Sequence, residues 1–425
     1  MATTGKIAQV IFEEAIKTHE HQMQMLELTT LYKPNSGDMQ NAGNFVWRTV
    51  QQHAPIQDGW DMTGNYTDII EETYPAVLGT PKNDVFEQRA DDLRDMQFWE
   101  RRGQESGKKL ATDLNKGIST MIGNTGSLFF SSAATSGYDF IAEGQTILNE
   151  RQAPSEDMRY FMLNDRDNLK FSKDLAGRQT LQGRPEDTWK TGQIGQNVAE
   201  FDVYTGTFQP NLAGNAGADS TTTAALSGKP EGGTVNATTG VVTNIDYRTF
   251  SFDVVSGAGY AVGDVVKFSN AGTDVESLAL SDKSATGQPM TFKIVGVATN
   301  TLTIYPKPIA LDDAALSTLE KAYANINTQI TSGATVVKLN TWAGSKKANQ
   351  FWCKDSIEVT GGDAPVELLS SFGGMRVISD TMSNGQRMYM AYDGNIDTLT
   401  FKCRLFTWYG ITNKNPSANG NGYTT

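Results

Sequence analysis

The stretch Leu110-Ala111-Thr112-Asp113-Leu114-Asn115-Lys116-Gly117-Ile118-Ser119-Thr120-Met121-Ile122 places apolar residues three or four apart. That is the period of one face of an α-helix. Upstream, Phe86, Ala90 and Leu93 continue the stripe, and charges of both signs crowd the positions between them. The spacing predicts one long helix over 85–122, with Asn83 or Asp84 after Pro81 as its N-cap. Gly123-Asn124-Thr125-Gly126 supplies the stop. Gly103 and Gly107 interrupt the pattern; each costs about 1 kcal/mol relative to Ala, so a bend is expected there. A helix this long, charged on one side, reads as a spine for other layers.

Working outward, Ile7, Val10, Ile11, Ala15 and Ile16 predict a first helix, with Glu13 and Lys17 as a favourable i,i+4 pair. Pro34-Asn35-Ser36-Gly37-Asp38 ends it. Residues 44–80 read as extended, with turns at Asp58-Gly59 and Thr63-Gly64-Asn65 and no core face after Gln51. This predicts a long two-stranded loop projecting from the body. Beyond the spine, residues 127–202 alternate short strand and helix signals, a mixed α+β layer.

Composition then changes. Residues 216–301 are rich in Gly, Thr, Ser and Val, and no tryptophan occurs between Trp189 and Trp342. Apolar and polar residues alternate in Phe250-Ser251-Phe252-Asp253-Val254 and in Thr291-Phe292-Lys293-Ile294, as in half-buried strands. Val265-Val266-Lys267-Phe268 is another strand, and Thr299-Asn300 turns into Leu302-Thr303-Ile304. The island reads as a small β barrel or sandwich inserted into a larger domain. Residues 413–425, rich in Asn, Gly and Ser, read as a flexible end.

A chain of 425 residues is expected to hold two to four domains, and 38% hydrophobic residues suffice for real cores. The net charge of −12 repels phosphate and argues against dedicated nucleic-acid binding. The three histidines, His19, His21 and His53, all lie near the start, which excludes histidine acid–base chemistry on the rest of the chain. Cys353 and Cys403 form no CxxC and suggest no zinc site; both read as buried small apolar residues. No apolar run approaches the ~18 residues that span a membrane, and the first residues lead into an amphipathic stretch, not a signal peptide. The chain reads as soluble, cytosolic when made, and without a cofactor.

Motifs that could carry chemistry fail on spacing. Gly103-Gln104-Glu105-Ser106-Gly107-Lys108-Lys109 is one residue short of a phosphate loop, ends in Lys where Ser or Thr is needed, and lies within a helix. Gly257, Gly259 and Gly263 miss the dinucleotide pattern and precede a strand. Asp165-Arg166-Asp167-Asn168 lacks the Gly and Glu of a calcium loop and reads as a solvated turn. Asp91, Asp92 and Asp95 sit beside Arg89 and Arg94, so ion pairing is the better reading than a catalytic carboxylate pair. His19 and His21 are two apart and do not share a helix face. No active site emerges, which points to structure or interaction.

Several segments together resemble one family, the coat proteins of short-tailed phages of the Salmonella phage P22 type. They are Gly59-Trp60-Asp61; Arg89-Ala90-Asp91-Asp92-Leu93-Arg94-Asp95; Pro306-Lys307-Pro308; Ala310-Leu311-Asp312-Asp313; Ala322-Tyr323-Ala324-Asn325; and Trp408-Tyr409-Gly410. Their order and spacing match, and weaker similarity joins them over nearly the whole chain.

The resemblance implies an α+β chain with the Hong Kong 97-type phage capsid fold. Its parts would be an N-terminal arm (1–33), a leading strand and extended loop (34–83), and the spine helix of a peripheral domain (84–126). An axial domain (127–215 and 341–390), an inserted antiparallel β-barrel (216–340), and a return strand with tail (391–425) would complete it. The function implied is that of a major capsid protein forming pentamers and hexamers of an icosahedral shell around dsDNA, which it encloses without specific binding.

The partners implied are further copies of the chain, a scaffolding protein and a portal protein, with no membrane. Assembly is expected in the host bacterial cytoplasm and the final location is the virion. Glu13 and Glu14 are the expected scaffold contacts. Gly59, Trp60, Asp61, Arg89, Asp91, Asp92 and Arg94 are the expected contacts between subunits. In relatives a charged loop of the inserted domain ties capsomers together. Here residues 232–240 carry no charge, and Asp246 and Arg248 just beyond are assigned that contact. An encapsulin-type compartment shell is the alternative, followed by a carbohydrate-binding or enzymatic multidomain protein.

Overall fold

The computed structural model describes residues 2–34, 45–50, 53–56, 58–64, 66, 69–89, 96–132, 137–153, 158–177, 195–233, 246–371, 375–395 and 397–424. The chain is mixed α+β and divides into two units. One comprises Met1–Val46, Ala76–Ile118 and Glu358–Thr412; the other comprises Trp47–Pro75, Ser119–Ile357 and Asn413–Thr425.

In the first unit, the helix Ala2–Gln22 and the long helix Met96–Thr125 pack with a four-stranded antiparallel sheet. Its order is Arg376–Thr381, Arg387–Asn395, Thr400–Thr407, Lys82–Arg89. Ile11, Phe12, Ala15, Trp99, Leu110, Met388, Met390, Phe401 and Leu405 form the shared core. Two expectations are corrected here. The long helix does not begin near residue 84: Lys82–Arg89 is a strand, paired from Lys82↔Thr407 to Arg89↔Thr400. Eight paired residues outweigh a weak local helix preference, because propensity yields to tertiary pairing. Asp84, expected as a helix cap, reaches the long helix from the sheet, accepting from Arg102 Nη2 at 2.7 Å and Ser106 Oγ at 2.5 Å. The sheet also runs through residues 390 and 391, so a domain boundary there would cut a strand.

Gly103 and Gly107 mark no break; the helix is continuous across them. They are where the first helix comes closest. A Cβ on Gly103 would lie 2.6 Å from the carbonyl oxygen of Ile11, and one on Gly107 2.3 Å from that of Ala15. Two glycines four apart thus form a groove that receives a neighbouring backbone.

In the second unit, a six-stranded mixed sheet has the order Leu128–Ser132, Asn419–Thr424, Asn349–Cys353, Arg159–Asn164, Phe201–Gly206, Gly195–Val198. The helices Gly137–Glu150 and Asp165–Gly177 accompany it over a core containing Phe130, Phe140, Ile141, Phe161, Phe201 and Phe351. The expected flexible end is instead a buried interior strand, parallel to Leu128–Ser132 and antiparallel to Asn349–Cys353. Its composition suits that place. A Cβ on Gly422 would lie 2.4 Å from Phe130 Cζ, and Asn413 and Asn419 exchange side-chain amide hydrogen bonds of 3.0 and 2.8 Å.

Asp165-Arg166-Asp167-Asn168 is likewise no solvated turn. Asn164 Oδ1 accepts from the backbone N–H groups of Arg166 and Asp167 at 3.1 and 3.0 Å, starting a helix. The buried Asp167 carboxylate accepts from Asn164 Nδ2 (2.7 Å), Asn349 Nδ2 (2.8 Å) and Thr424 Oγ1 (3.2 Å).

The same unit holds a second antiparallel sheet. Its path is Ser220–Thr221, Thr335–Lys338, Val265–Asn270, Phe292–Ala298, Thr301–Tyr305, Phe250–Asp253. Thr222 bridges Val254, and the amides of Val255 and Thr223 donate to Thr221 O and Asp253 O at 3.0 Å. The first and last strands therefore bond to each other. Phe252, Val254, Val266, Phe268, Phe292, Ile294, Leu302 and Ile304 are buried inside, with Phe250 packed against them.

The helix groove yields a prediction. Gly107→Ala gains up to about 1 kcal/mol of helix propensity, but its methyl group overlaps the Ala15 carbonyl, and overpacking costs about 1–3 kcal/mol. Equilibrium urea unfolding should show a net loss for Gly107→Ala and no loss for the exposed control Lys108→Ala. A stabilised Gly107→Ala would mean that the groove does not matter.

Candidate functional site

The candidate site is the extended segment between the paired strands Phe45–Thr49 and Thr73–Val77. At its far end Gly59 has φ +138° and Gly64 φ +84°, backbone angles that favour glycine. Asp61 Oδ1 accepts from the Thr63 N–H at 2.9 Å and from Thr63 Oγ1 at 2.6 Å. These bonds hold the exposed Asp61 carboxyl below the usual carboxylate range. Trp60 stands fully in solvent, and Ile56, Tyr66 and Ile69 are also exposed. Four large apolar side chains on one segment are what an interaction surface presents.

The base of the segment is closed across its own two arms and tied to the loops of the second sheet. Val50 N–H donates to Glu72 O at 2.9 Å, Thr73 N–H to Glu231 O at 3.4 Å, and Gly233 N–H to Thr73 Oγ1. Tyr323 OH donates to Ile70 O at 2.8 Å, and the His53 ring meets the Tyr323 ring edge-on at 5.2 Å. The Trp47 and Tyr247 rings lie 5.6 Å apart. Burial, reinforced by the charge of Lys283, lowers the His53 pKa to about 4, so the ring is neutral at pH 7.

At the centre lies Arg248. Its Nε and Nη2 donate to the two carboxylate oxygens of Asp246 at 2.9 and 2.8 Å, and Nη1 donates to Lys414 O at 2.9 Å. The guanidinium sits 5.1 Å from the Tyr74 ring centroid and 5.4 Å from that of Tyr305. Beside it, Lys307 Nζ donates to Glu231 Oε2 at 2.9 Å and to Lys229 O at 3.1 Å. Burial pushes the Glu72 carboxyl up to about 6, against the opposing pull of Arg248 and Lys307.

The residues singled out from sequence fare differently. Gly59, Trp60 and Asp61 come together at the far turn. Arg248, assigned to a contact between capsomers, has a side chain only 4% exposed and uses its donors within its own chain; Asp246 is its partner. Glu13 is exposed. Glu14 is engaged, with Gln104 Nε2 at 3.1 Å and Lys17 Nζ at 3.6 Å, so Lys17 pairs at i,i+3 with Glu14 and not with Glu13. Arg89 is the exposed last residue of its strand; Asp91, Asp92 and Arg94 lie outside the described residues, as do residues 234–240 of the uncharged loop. Sequence reasoning missed Glu72, Tyr74 and Tyr305. The signal available was charge in strand-like stretches, where a partner is required. Among the described residues no cluster of potential metal ligands occurs, and no helix is long and apolar enough to cross a membrane.

Comparison with known proteins bears on the identity of the chain. Among solved structures, the chain is similar to one from Mycobacterium phage Che8, with a TM-score of 0.45 and 10% identity over 94% of this chain and 90% of that one. It is similar to the acid-stable capsid of Helicobacter pylori bacteriophage KHP30, with a TM-score of 0.43 and 8% identity over 93% and 88%. The CUS-3 coat protein I-domain matches at 28% identity, over 28% of this chain and 97% of that one, with a TM-score of 0.20. The family model described as "P22 coat protein - gene protein 5" matches residues 1–424. That match spans both units and the exposed segment alike, and the chain belongs to the P22 coat protein family, as a structural protein of a bacteriophage capsid.

Proposed function

We propose that this coat protein builds an icosahedral shell of pentamers and hexamers around packaged dsDNA, assembled with an internal scaffolding protein and completed by a portal. In this reading the fold is of the Hong Kong 97 type. The first helix is the arm, residues 45–80 carry the extended loop, and the four-stranded sheet with the long helix is the peripheral layer. The six-stranded sheet is the axial layer, and the closed sheet within 216–340 is an inserted barrel. The observation that carries it is the solvent-facing set Ile56, Trp60, Tyr66 and Ile69 on a segment whose base is fixed and whose family forms coats.

Ring-shaped shells close through heterologous contacts. Each can be weak, because many form together and only the right geometry satisfies all of them. A fixed stem suits this, since little freedom is lost when the tip docks. An acidic chain, net −12, suits containment, because a wall that does not attract phosphate leaves DNA free to move.

Electron microscopy tests the reading: the protein co-produced with its scaffold should give closed shells, and discrete monomers under all assembly conditions would refute it. Trp60→Ser should shift material from shells to free subunits in rate-zonal sedimentation, consistent with a buried aromatic anchor worth about 2 kcal/mol or more per contact. The free subunit should keep its stability within about 0.5 kcal/mol, as for an exposed site.

Glu13→Lys should lower the scaffold content of shells, and raised salt should weaken wild-type recruitment, as expected for a solvated charge contact. Scaffold content unaffected by both would remove Glu13 from that role.

The stem should respond to pH with a definite sign. Glu72 has a folded-state pKa of about 6, above that of the unfolded chain. The folded state therefore takes up the proton first, and its stability rises as pH falls from about 6 toward the ordinary carboxylate range. Above 6 the full cost of the buried charge is present. Glu72→Gln should thus stabilise the protein at pH 7–8, with the gap closing below about pH 4.5. Arg248→Met should instead cost about 3–5 kcal/mol at neutral pH, by leaving carboxylates without their cation. Unfolding curves across pH check both.

A further inference from the structure

Lys293 alternates with Phe292 and Ile294 in its strand, and that alternation predicts a solvated side chain. The residue is instead only 3% exposed. Among the described residues its ammonium has no hydrogen-bond acceptor and no ion pair. The second buried lysine of the sheet shows the usual solution. Lys338 Nζ donates to Ala218 O at 2.8 Å and Gly259 O at 3.1 Å, and lies 4.3 Å from the Tyr260 ring centroid. A buried cation without an acceptor is costly unless something else supplies one.

Lys293 lines a cavity of about 540 Å³, together with Leu212, Asn215, Tyr260, Val262 and Asp264. The Asp264 carboxylate is already saturated. Its Oδ2 accepts from Asn215 Nδ2 at 2.6 Å and the Ala261 N–H at 2.8 Å, and its Oδ1 from Asn340 Nδ2 at 2.8 Å. Its field reaches Lys293, but it makes no hydrogen bond to it. Burial lowers the Lys293 pKa to about 8, with the charge of Asp264 acting in the opposite direction, so the amine is largely protonated at neutral pH.

We propose that this cavity binds a small monocarboxylate, whose oxygens accept from the Lys293 ammonium and whose apolar body lies against Leu212 and the Tyr260 ring. The Asp264 charge already acts on this ammonium, so the ligand carries one negative charge and no more. A phosphate dianion would add a second charge facing Asp264, and like charges repel. Leu212 and the Tyr260 ring favour a short alkyl chain over a bare anion.

Sodium butyrate, acetate, phosphate and chloride, compared at fixed ionic strength on the purified full-length protein, test the site. Butyrate should raise the melting temperature saturably, by about 2 °C or more, as expected for a ligand that binds only the folded state. Acetate should act more weakly, and phosphate no more than chloride. Lys293→Met should abolish the butyrate response. As a test that does not depend on the variant folding, butyrate should slow reductive methylation of Lys293 in the wild-type protein, followed by peptide mass spectrometry. Three results would overturn the proposal: no saturable response, an equal response in Lys293→Met, or labelling of Lys293 indifferent to butyrate. A phosphate response exceeding that of butyrate would overturn the choice of a carboxylate.

Discussion

A guanidinium that has left water must find negative charge and acceptors nearby, and Arg248 finds them in Asp246 and Lys414 O, with the Tyr74 and Tyr305 faces closing around it. The stem of the exposed segment is arranged around this need. Tyr74 comes from the strand that returns from the segment, Tyr305 and Arg248 from the closed sheet and its loops, and Lys414 from the stretch before the interior strand. Each charge–acceptor pair here is nearly neutral in net stability while complete and expensive when broken. Such an arrangement specifies geometry more than it adds stability.

That division of roles matters for a coat subunit. Ile56, Trp60, Tyr66 and Ile69 can act on a neighbour only if the base that presents them stays in place. Hydrogen bonds at Val50, Thr73 and Tyr323 and the Trp47–Tyr247 contact hold that base. In the proposed assembly, apolar contact at the far end supplies attraction, and the many copies of a shell multiply it.

The polar interior of the second unit follows a related rule. Asn164, Asp167, Asn349 and Thr424 join a helix start and two sheet strands through one saturated carboxylate. Asn413 and Asn419 pair with each other. In these two clusters the partners are present, which is what lets the polar groups stay buried.

Local pattern alone determined a good deal. The first helix follows from Ile7, Ile11 and Ala15, and the second half of the long helix from Leu110, Leu114 and Ile118. The strands of the closed sheet follow from the alternation around Phe252, Phe268, Phe292, Leu302 and Ile304. In each, polarity repeats at the period of the element, so a short window holds the whole signal. The exposed turn was legible too, because Gly59 and Gly64 mark backbone angles that other residues avoid. Tertiary structure decided the rest. Lys82–Arg89 reads as the front of a helix until Thr400–Thr407 offers it eight paired residues. Asn419–Thr424 reads as a loose tail until its glycines admit Leu128 and Phe130. Gly103 and Gly107 read as a bend until the backbone at Ile11 and Ala15 settles against them, and Arg248 reads as a surface charge until Tyr74, Tyr305 and Asp246 enclose it. In all four the deciding partner lies far away in sequence, and hydrogen-bond pairing and close backbone approach leave no period in a local window.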